Sequence, residues 1–347
     1  MRWAECVASP NIHVPGTLDL ACIRLVGMIR EIRPTEVRSW AVRASARMAH
    51  VRCQAGLVDK ALARQLESRQ LRRFTAGLPR GARVFLDEAG HWLWYMPGKI
   101  CAVDIDDPAE WAELTHRLAA AEVPVGSRAS GGVVQREGLA GSAGVAVATA
   151  PGGELQFSRF RGDAASTALA GAVDARLKSM ELVAQLPAIT WHEHHSSTVS
   201  LRAMSSVDLY DFLRVTAEEL AAQQEATHPG TSHRELAVRA RARADRKLPD
   251  GVSTPGHLLL SIVADGRVAG GLWAETDGGR VRIWNLLVYP EFQGRGMTRA
   301  ALSALSSSLI LEGITFMSVP LVATNTHAEQ IFTSAGFVRA RESYAVR

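Results

Sequence analysis

Cysteine is scarce in this chain. The four present, Cys6, Cys22, Cys53 and Cys101, all fall in the first third, and no two form a CxxC pair. That spacing argues against a disulfide framework or a structural zinc; reduced, buried thiols in a cytoplasmic protein are the expectation. No apolar run reaches the roughly 18 residues of a membrane-spanning helix, so no contact with a membrane is expected. The opening residues lack a basic stretch followed by a long apolar run, so no secretory leader is expected. Charge of one sign is also modest. The net charge is +4, which permits an acidic partner without requiring one. The excess lies in the first half, while residues 198–347 are close to neutral.

What is present is enough for two cores. The chain has 347 residues, 47% of them apolar and 21% charged, a composition of folded and not disordered protein. Helices are expected from residue 17, over 37–56 and over 58–75. Short strands follow at 82–87, 92–96 and 100–103, separated by turn residues. Asp106-Asp107-Pro108 opens a helix over 107–121 with an N-cap and a proline in the first turn. A Gly/Ser/Ala-rich stretch spans 124–153, a strand is expected at 154–159, and a long helix over 163–186. Residues 187–197 read as a connector. Beyond it come a strand at 198–202, helices over 207–223 and 232–247, strands at 258–263, 268–275 and 281–288, then helix 297–312, strand 315–322, helix 326–335 and strand 337–346. The expected class is α/β (α+β), with an N-terminal domain over 1–190 and a second over 198–347. No internal repeat is visible.

The most informative segment is the strand ending at Val288 and the loop that follows it, Gln293-Gly294-Arg295-Gly296-Met297-Thr298. The first turn of a helix leaves backbone N–H groups unpaired, and the helix dipole favours negative charge there. Gly294 and Gly296 let the backbone approach an anion closely, and Gln293 and Arg295 add donors. Such a nest suits a pyrophosphate. Neither GxxxxGK(S/T) nor GxGxxG is present, so the common nucleotide fingerprints do not apply.

This loop, preceded by Val288-Tyr289-Pro290-Glu291, resembles motif A of the GNAT superfamily of N-acyltransferases, a strand ending in Val-x-Pro followed by Gln/Arg-x-x-Gly-x-Gly/Ala. Asn325, Ala328, Ile331-Phe332 and Gly336-Phe337 are similar to a second segment of that family. The resemblance covers about 150 residues. It implies a mixed, mostly antiparallel sheet flanked by helices. It also implies an acyl-CoA co-substrate, with acetyl-CoA first, and no metal. The pyrophosphate would lie on Gln293 to Thr298, and the pantetheine amides along the backbone of Leu287 and Val288. A splay between this strand and the one at 315–322 would form the thioester slot, and Asn325 and Phe332 would line it. Two positions depart from the family: Thr298 replaces Gly or Ala, and Phe332 stands where a tyrosine commonly protonates the leaving thiolate. Phenylalanine has no proton to give. A carrier-protein phosphopantetheine or an aminoacyl-tRNA as donor, and a CoA-binding module without catalysis, are the alternatives.

Amide formation needs a free amine, a polarised thioester and an acceptor for the amine's protons. Glu275, Asn285 and His228 are the catalytic candidates: a strand-end carboxylate, a strand amide that orients the amine, and a loop base. The expected acceptor is a small-molecule amine, in specialised-metabolite biosynthesis. Tyr344 is more plausible as packing. His192 and His194 share a strand face but lack the carboxylate pattern of a metal site, so none is assigned. The basic helix 232–247 carries Arg239, Arg241, Arg243, Arg246 and Lys247, either a solvated face or a surface for tRNA or a carrier protein. No aromatics interleave with it, so single-strand nucleic-acid binding is not expected. The first half is similar either to a degenerate GNAT half or to the small domain of PLP aminotransferases. It contains no PLP lysine region, and its expected role is to shape the acceptor site or bind a partner.

Overall fold

Local chemistry sets the ends of several elements. Asp59, Asp163, Ser232 and Asn325 each accept a hydrogen bond from a backbone N–H of the helix they precede, and Ser232 with Glu235 completes a capping box. The computed structural model describes residues 29–122, 154–189, 199–225, 230–277 and 279–346. The helix expected from residue 17, the stretch 124–153, the histidines at 192 and 194 and His228 fall outside them, Ile29 excepted.

The first half runs β1 Arg30–Glu31, α1 Val37–Gln54, α2 Lys60–Arg73, β2 Arg83–Leu86, β3 Trp92–Met96, β4 Lys99–Asp104, α3 Pro108–Glu122, β5 Gln156–Phe160, α4 Ala164–Ala172 and β6 Ala175–Gln185. The second runs β7 Val199–Ala203, α5 Ser206–Glu225, α6 His233–Lys247, β8 His257–Ala264, β9 Arg267–Asp277, β10 Arg280–Val288, α7 Met297–Leu311, β11 Phe316–Val322, α8 Thr326–Ser334 and β12 Val338–Val346. The two halves therefore share one order of elements, β-α-α-β-β-β-α-β-α-β, although the sequence shows no repeat.

All twelve strands join one mixed sheet, in the order β1-β2-β3-β4-β5-β12-β6-β11-β10-β9-β8-β7. Strand alternation sends side chains to both faces. On one face α1 packs Trp40 against Trp92 and Trp94, and α5 packs Phe212 against Leu259 and Trp273. On the other, α3 and α4 cover Phe85, Leu93 and Phe157, while α7 and α8 cover Met317, Val319 and Leu321. The expected α/β class with a mixed sheet and flanking helices holds. Among the described residues no helix is long and apolar enough to cross a membrane.

Each half lends its last strand to the other. β6 lies between β12 and β11, and β12 between β5 and β6, all antiparallel. This corrects the long helix expected over 163–186, which is a short helix followed by an eleven-residue strand. Arg176, Leu177, Lys178, Met180 and Glu181 are good helix formers, but pairing on both sides overrides propensity. The four consecutive buried residues from Met180 to Val183 hide the strand period, because both faces are covered. The aminotransferase-like reading needed a closing helix here and loses it.

Two buried carboxylates sit on the exchanged strands. Glu181 on β6 receives Arg282 of β10 and Arg341 of β12, the latter at 2.8 Å. Glu342 on β12 receives Arg159 of β5 and, at 3.0 Å, Arg339. The Tyr344 hydroxyl also donates to Glu342, and its ring stacks on Phe157, so this tyrosine is packing, as expected. Removing one partner of a buried pair strands charge in a low dielectric. Glu181→Ala should destabilise the protein by about 3 kcal/mol in urea unfolding. A fragment of residues 198–347 lacks β6 and should show no cooperative melt by circular dichroism.

Candidate active site

The second half builds a cleft from three local features. First, β10 carries a register shift against β9 between Ile283 and Asn285, which bulges Trp284 out of the ladder. Farther along, β9 closes tightly on β10 through Gly270: a Cβ there would lie 2.1 Å from the Leu287 carbonyl oxygen. Second, β10 pairs in parallel with β11 only from Arg280 to Arg282, opposite Phe316 to Ser318. β11 then stays with β6 along its whole length, to Val322 opposite Ser179. The two strands part, and the β11-facing edge of Leu286–Val288 is left without a strand partner. Third, the chain leaves β10 through a short 3-10 turn at Pro290–Phe292 and enters α7 through Gly294 and Gly296, both at φ 75°. Gly296 is the helix N-cap, in the left-handed region that suits glycine, and no side chain caps the helix. Gln293 donates from Nε2 to the Val288 carbonyl at 3.0 Å and pins the loop.

These features enclose a cavity of about 680 Å³. Of the residues expected to hold the cofactor, Leu287, Val288, Gln293, Gly294, Gly296, Met297, Thr298, Asn325 and Phe332 line it, and so does the catalytic candidate Asn285. Arg295 does not; its guanidinium stacks 5.7 Å from the Phe292 ring centre. Asn325 lends its side-chain oxygen to the Ala328 N–H as the α8 cap. Phe332 is buried edge-to-face against Phe337, so the wall there is apolar. Asn285 donates from Nδ2 to Thr216 Oγ1 at 2.7 Å, which ties β10 to α5. Glu275 stands apart from the cavity lining. It accepts the Trp284 indole N–H at 2.7 Å, which turns the carboxylate expected to act as a base toward that indole. Lys247 of the basic α6 lies over the same indole at 3.8 Å, and Arg241 is paired with Asp245.

Three titratable residues in the lining escaped the sequence reading, Glu219, Arg299 and His327. Glu219 sits on α5 in a stripe with Thr216 and Gln223, and desolvation raises its pKa above the usual 4.5. The signal was there: three polar residues at helical spacing on one face of an otherwise amphipathic helix.

The matching place in the first half is closed. β4 and β5 pair in parallel only at Lys99 and Gln156. Arg47 of α1 fills the parting, donating to the Val103 carbonyl at 2.9 Å and to Asp163 at 2.6 Å, and lies 3.2 Å from Asp104. The helix that follows, α3, is preceded by Asp106 and Asp107, whose carboxylates take the N–H groups of Asp107 and Ala109. Negative charge stands where the second half presents bare donors. Asp106 also lies 3.3 Å from His91 Nδ1, which Asp87 holds at 2.8 Å across the β2–β3 turn.

Residues 264–346 match the FR47-like protein family. The C-terminal region is a GNAT-type acyltransferase domain. A mycothiol acetyltransferase of Clavibacter sepedonicus is 30% identical over 139 residues, 40% of this chain and 42% of that protein. The GNAT match thus spans about two fifths of that relative's length. An uncharacterized N-acetyltransferase, YycN of Bacillus subtilis, is 26% identical over 146 residues, 40% of this chain and 92% of that one. Among solved structures, a GCN5-related N-acetyltransferase from Sphaerobacter thermophilus aligns over 92% of this chain and 94% of its own, at 14% identity and a TM-score of 0.44. Replacing Gly296 with tryptophan puts a side chain into a left-handed position, at a strain of about 1–2 kcal/mol, and into the mouth of the helix terminus. Calorimetry should then show acetyl-CoA affinity reduced by about tenfold or more, with the thermal unfolding midpoint little changed.

Proposed function

We propose that this protein is an N-acyltransferase that moves an acyl group, acetyl first, from CoA to the amine of a small molecule. The observation that carries the reading is the coincidence, in one cavity, of an uncapped helix N-terminus and an unpaired strand edge. The GNAT match and the acetyltransferase names of the relatives support it. The pyrophosphate sits on the Gly294–Thr298 turn, where helix N–H groups and dipole favour anions. The pantetheine amides pair with the β10 edge as an added strand.

The acceptor nitrogen attacks the thioester carbonyl carbon. The C–S bond breaks, the C–N bond forms, and the sulfur leaves as thiolate. Backbone N–H groups of the open β10 edge face the developing oxyanion. Glu219 takes the amine proton, directly or through a water. Desolvation raises its pKa, which makes it a stronger base than an ordinary carboxylate. With Phe332 unable to donate, His327 or solvent protonates the thiolate. A carrier-protein phosphopantetheine would use the same slot, but it brings a single phosphodiester. The two-glycine turn and bare helix end suit the pyrophosphate of free CoA better.

The test is CoA-thiol release from acetyl-CoA with a panel of small amines. Turnover whose kcat/KM for acetyl-CoA falls about tenfold or more in Gly296→Trp is the expected result. Tight CoA binding without turnover on any amine would leave a binding module instead. Glu219→Gln should lower kcat/KM by roughly 10²–10³-fold. In the wild type kcat/KM should rise with pH through a value above 4.5, as the raised carboxyl ionises. In the variant that acidic limb should vanish.

A further inference from the structure

The sheet face that carries α1, α2, α5 and α6 holds a run of cations with too few carboxylates. Register places His257, Glu275, Arg282, Ser318 and Val183 side by side across β8, β9, β10, β11 and β6. Arg280 lies two residues back along β10, and Glu181 two residues from Val183. Glu181 binds Arg282 through Nη1 and Arg341 through Nη2. The Nε and Nη2 atoms of Arg282, the edge that grips a carboxylate or phosphate with two parallel bonds, are buried and unpartnered. Arg280 Nε is in the same condition. Arg52 of α1 lies near Arg341 and Arg73, and neither Arg52 nor Arg280 has a carboxylate within ion-pair distance among the described residues. Desolvation lowers the pKa of both and of Lys247, against the pull of Glu181, Asp59 and Asp277 on Arg280 and of Glu275 on Lys247.

This patch adjoins the acceptor end of the cavity. Trp284 touches both: it lines the cavity beside Asn285 and Pro320, and its ring lies 4.8 Å from the Arg282 guanidinium carbon and 3.8 Å from Lys247 Nζ. At about 3.3 Å per strand residue, Arg282 is about 10 Å along β10 from Asn285. We propose that the acceptor is an amine bearing a carboxylate or other anionic group, and that Arg282 and Arg280, backed by Arg341 and Arg52, receive that anion when the Trp284 indole turns aside. The N-terminal half then contributes to acceptor recognition, since it supplies Arg52 and Glu181. This assignment rests on the acyl-transfer reading for the position of the amine, but the anion site is testable without transfer.

The experiment compares amines matched except for charge: γ-aminobutyrate with γ-aminobutyramide, and glycylglycine with its amide. With the full chain and acetyl-CoA, the carboxylates should be acetylated with kcat/KM about tenfold or more above the amides. Arg280→Gln, which removes no hydrogen bond present in the structure, and Arg282→Met should each erase most of that preference through KM, leaving acetyl-CoA affinity unchanged. Calorimetry with the N-acetylated carboxylates and amides, without CoA, reads the site directly. Binding of the acetylated carboxylates but not the amides, lost in Arg280→Gln, supports the assignment even if acetyl-CoA fails to bind and the donor reading falls. Equal handling of carboxylates and amides by the wild type, no binding of either, or a preference that survives in both variants overturns it.

Discussion

The exchange of β6 and β12 between the halves is the constraint on which the rest of this structure depends. A parallel pair such as β10 and β11 would ordinarily gain by pairing along its full length. Here β11 is claimed on its other side by β6, antiparallel and over seven residues, and its direction follows that partner. β10 follows β9, which closes on it through Gly270. Strands held by different neighbours part, and the parting exposes the edge that an extended amide chain can join. The slot is thus a by-product of how two half-sheets are sewn together, and the buried Glu181 and Glu342 lie on the two exchanged strands.

The same frame, used twice, carries opposite chemistry. Both halves open a parallel pair and both follow it with a helix. In one, glycines at φ 75° and an uncapped terminus leave donors bare. In the other, Arg47 fills the opening and aspartates occupy the helix start. An anion meets a positive end in the first case and a row of carboxylates in the second. A few side chains at equivalent places separate an anion seat from a closed one, while the backbone path is shared. What the closed half supplies is a strand for its neighbour, and Glu181 and Arg52 on the face proposed to receive the acceptor.

Much of the second half was legible from residues alone because its signals are local. Alternation marks β8 and β9, capping chemistry marks α6 and α8, and paired glycines ahead of a helix mark the anion turn whatever surrounds it. The turn from Gln293 to Thr298, proposed as the anion seat, needs only a strand, a turn and a helix in sequence order. The carboxylate proposed as the base was less legible. Glu275 and Glu219 are both carboxylates near the motif strand in space, and nothing in the sequence says that a bulge at Trp284 would turn the first toward its indole while α5 would carry the second to the cavity.

The first half shows where sequence stops. Residues 175–185 have the composition of a helix, and only two flanking strands from distant parts of the chain make them a strand. The repeat of elements was invisible because many sequences satisfy one pattern of buried and exposed positions. By itself the sequence determined the turns, caps and periodicities, and with them the phosphate-type loop, since these depend on neighbours a few residues away. Tertiary structure alone decided the strand exchange, the width of the slot, the plugging by Arg47 and the surplus of arginine beside Trp284. Each of these depends on residues brought together across the chain, and no local rule encodes such meetings.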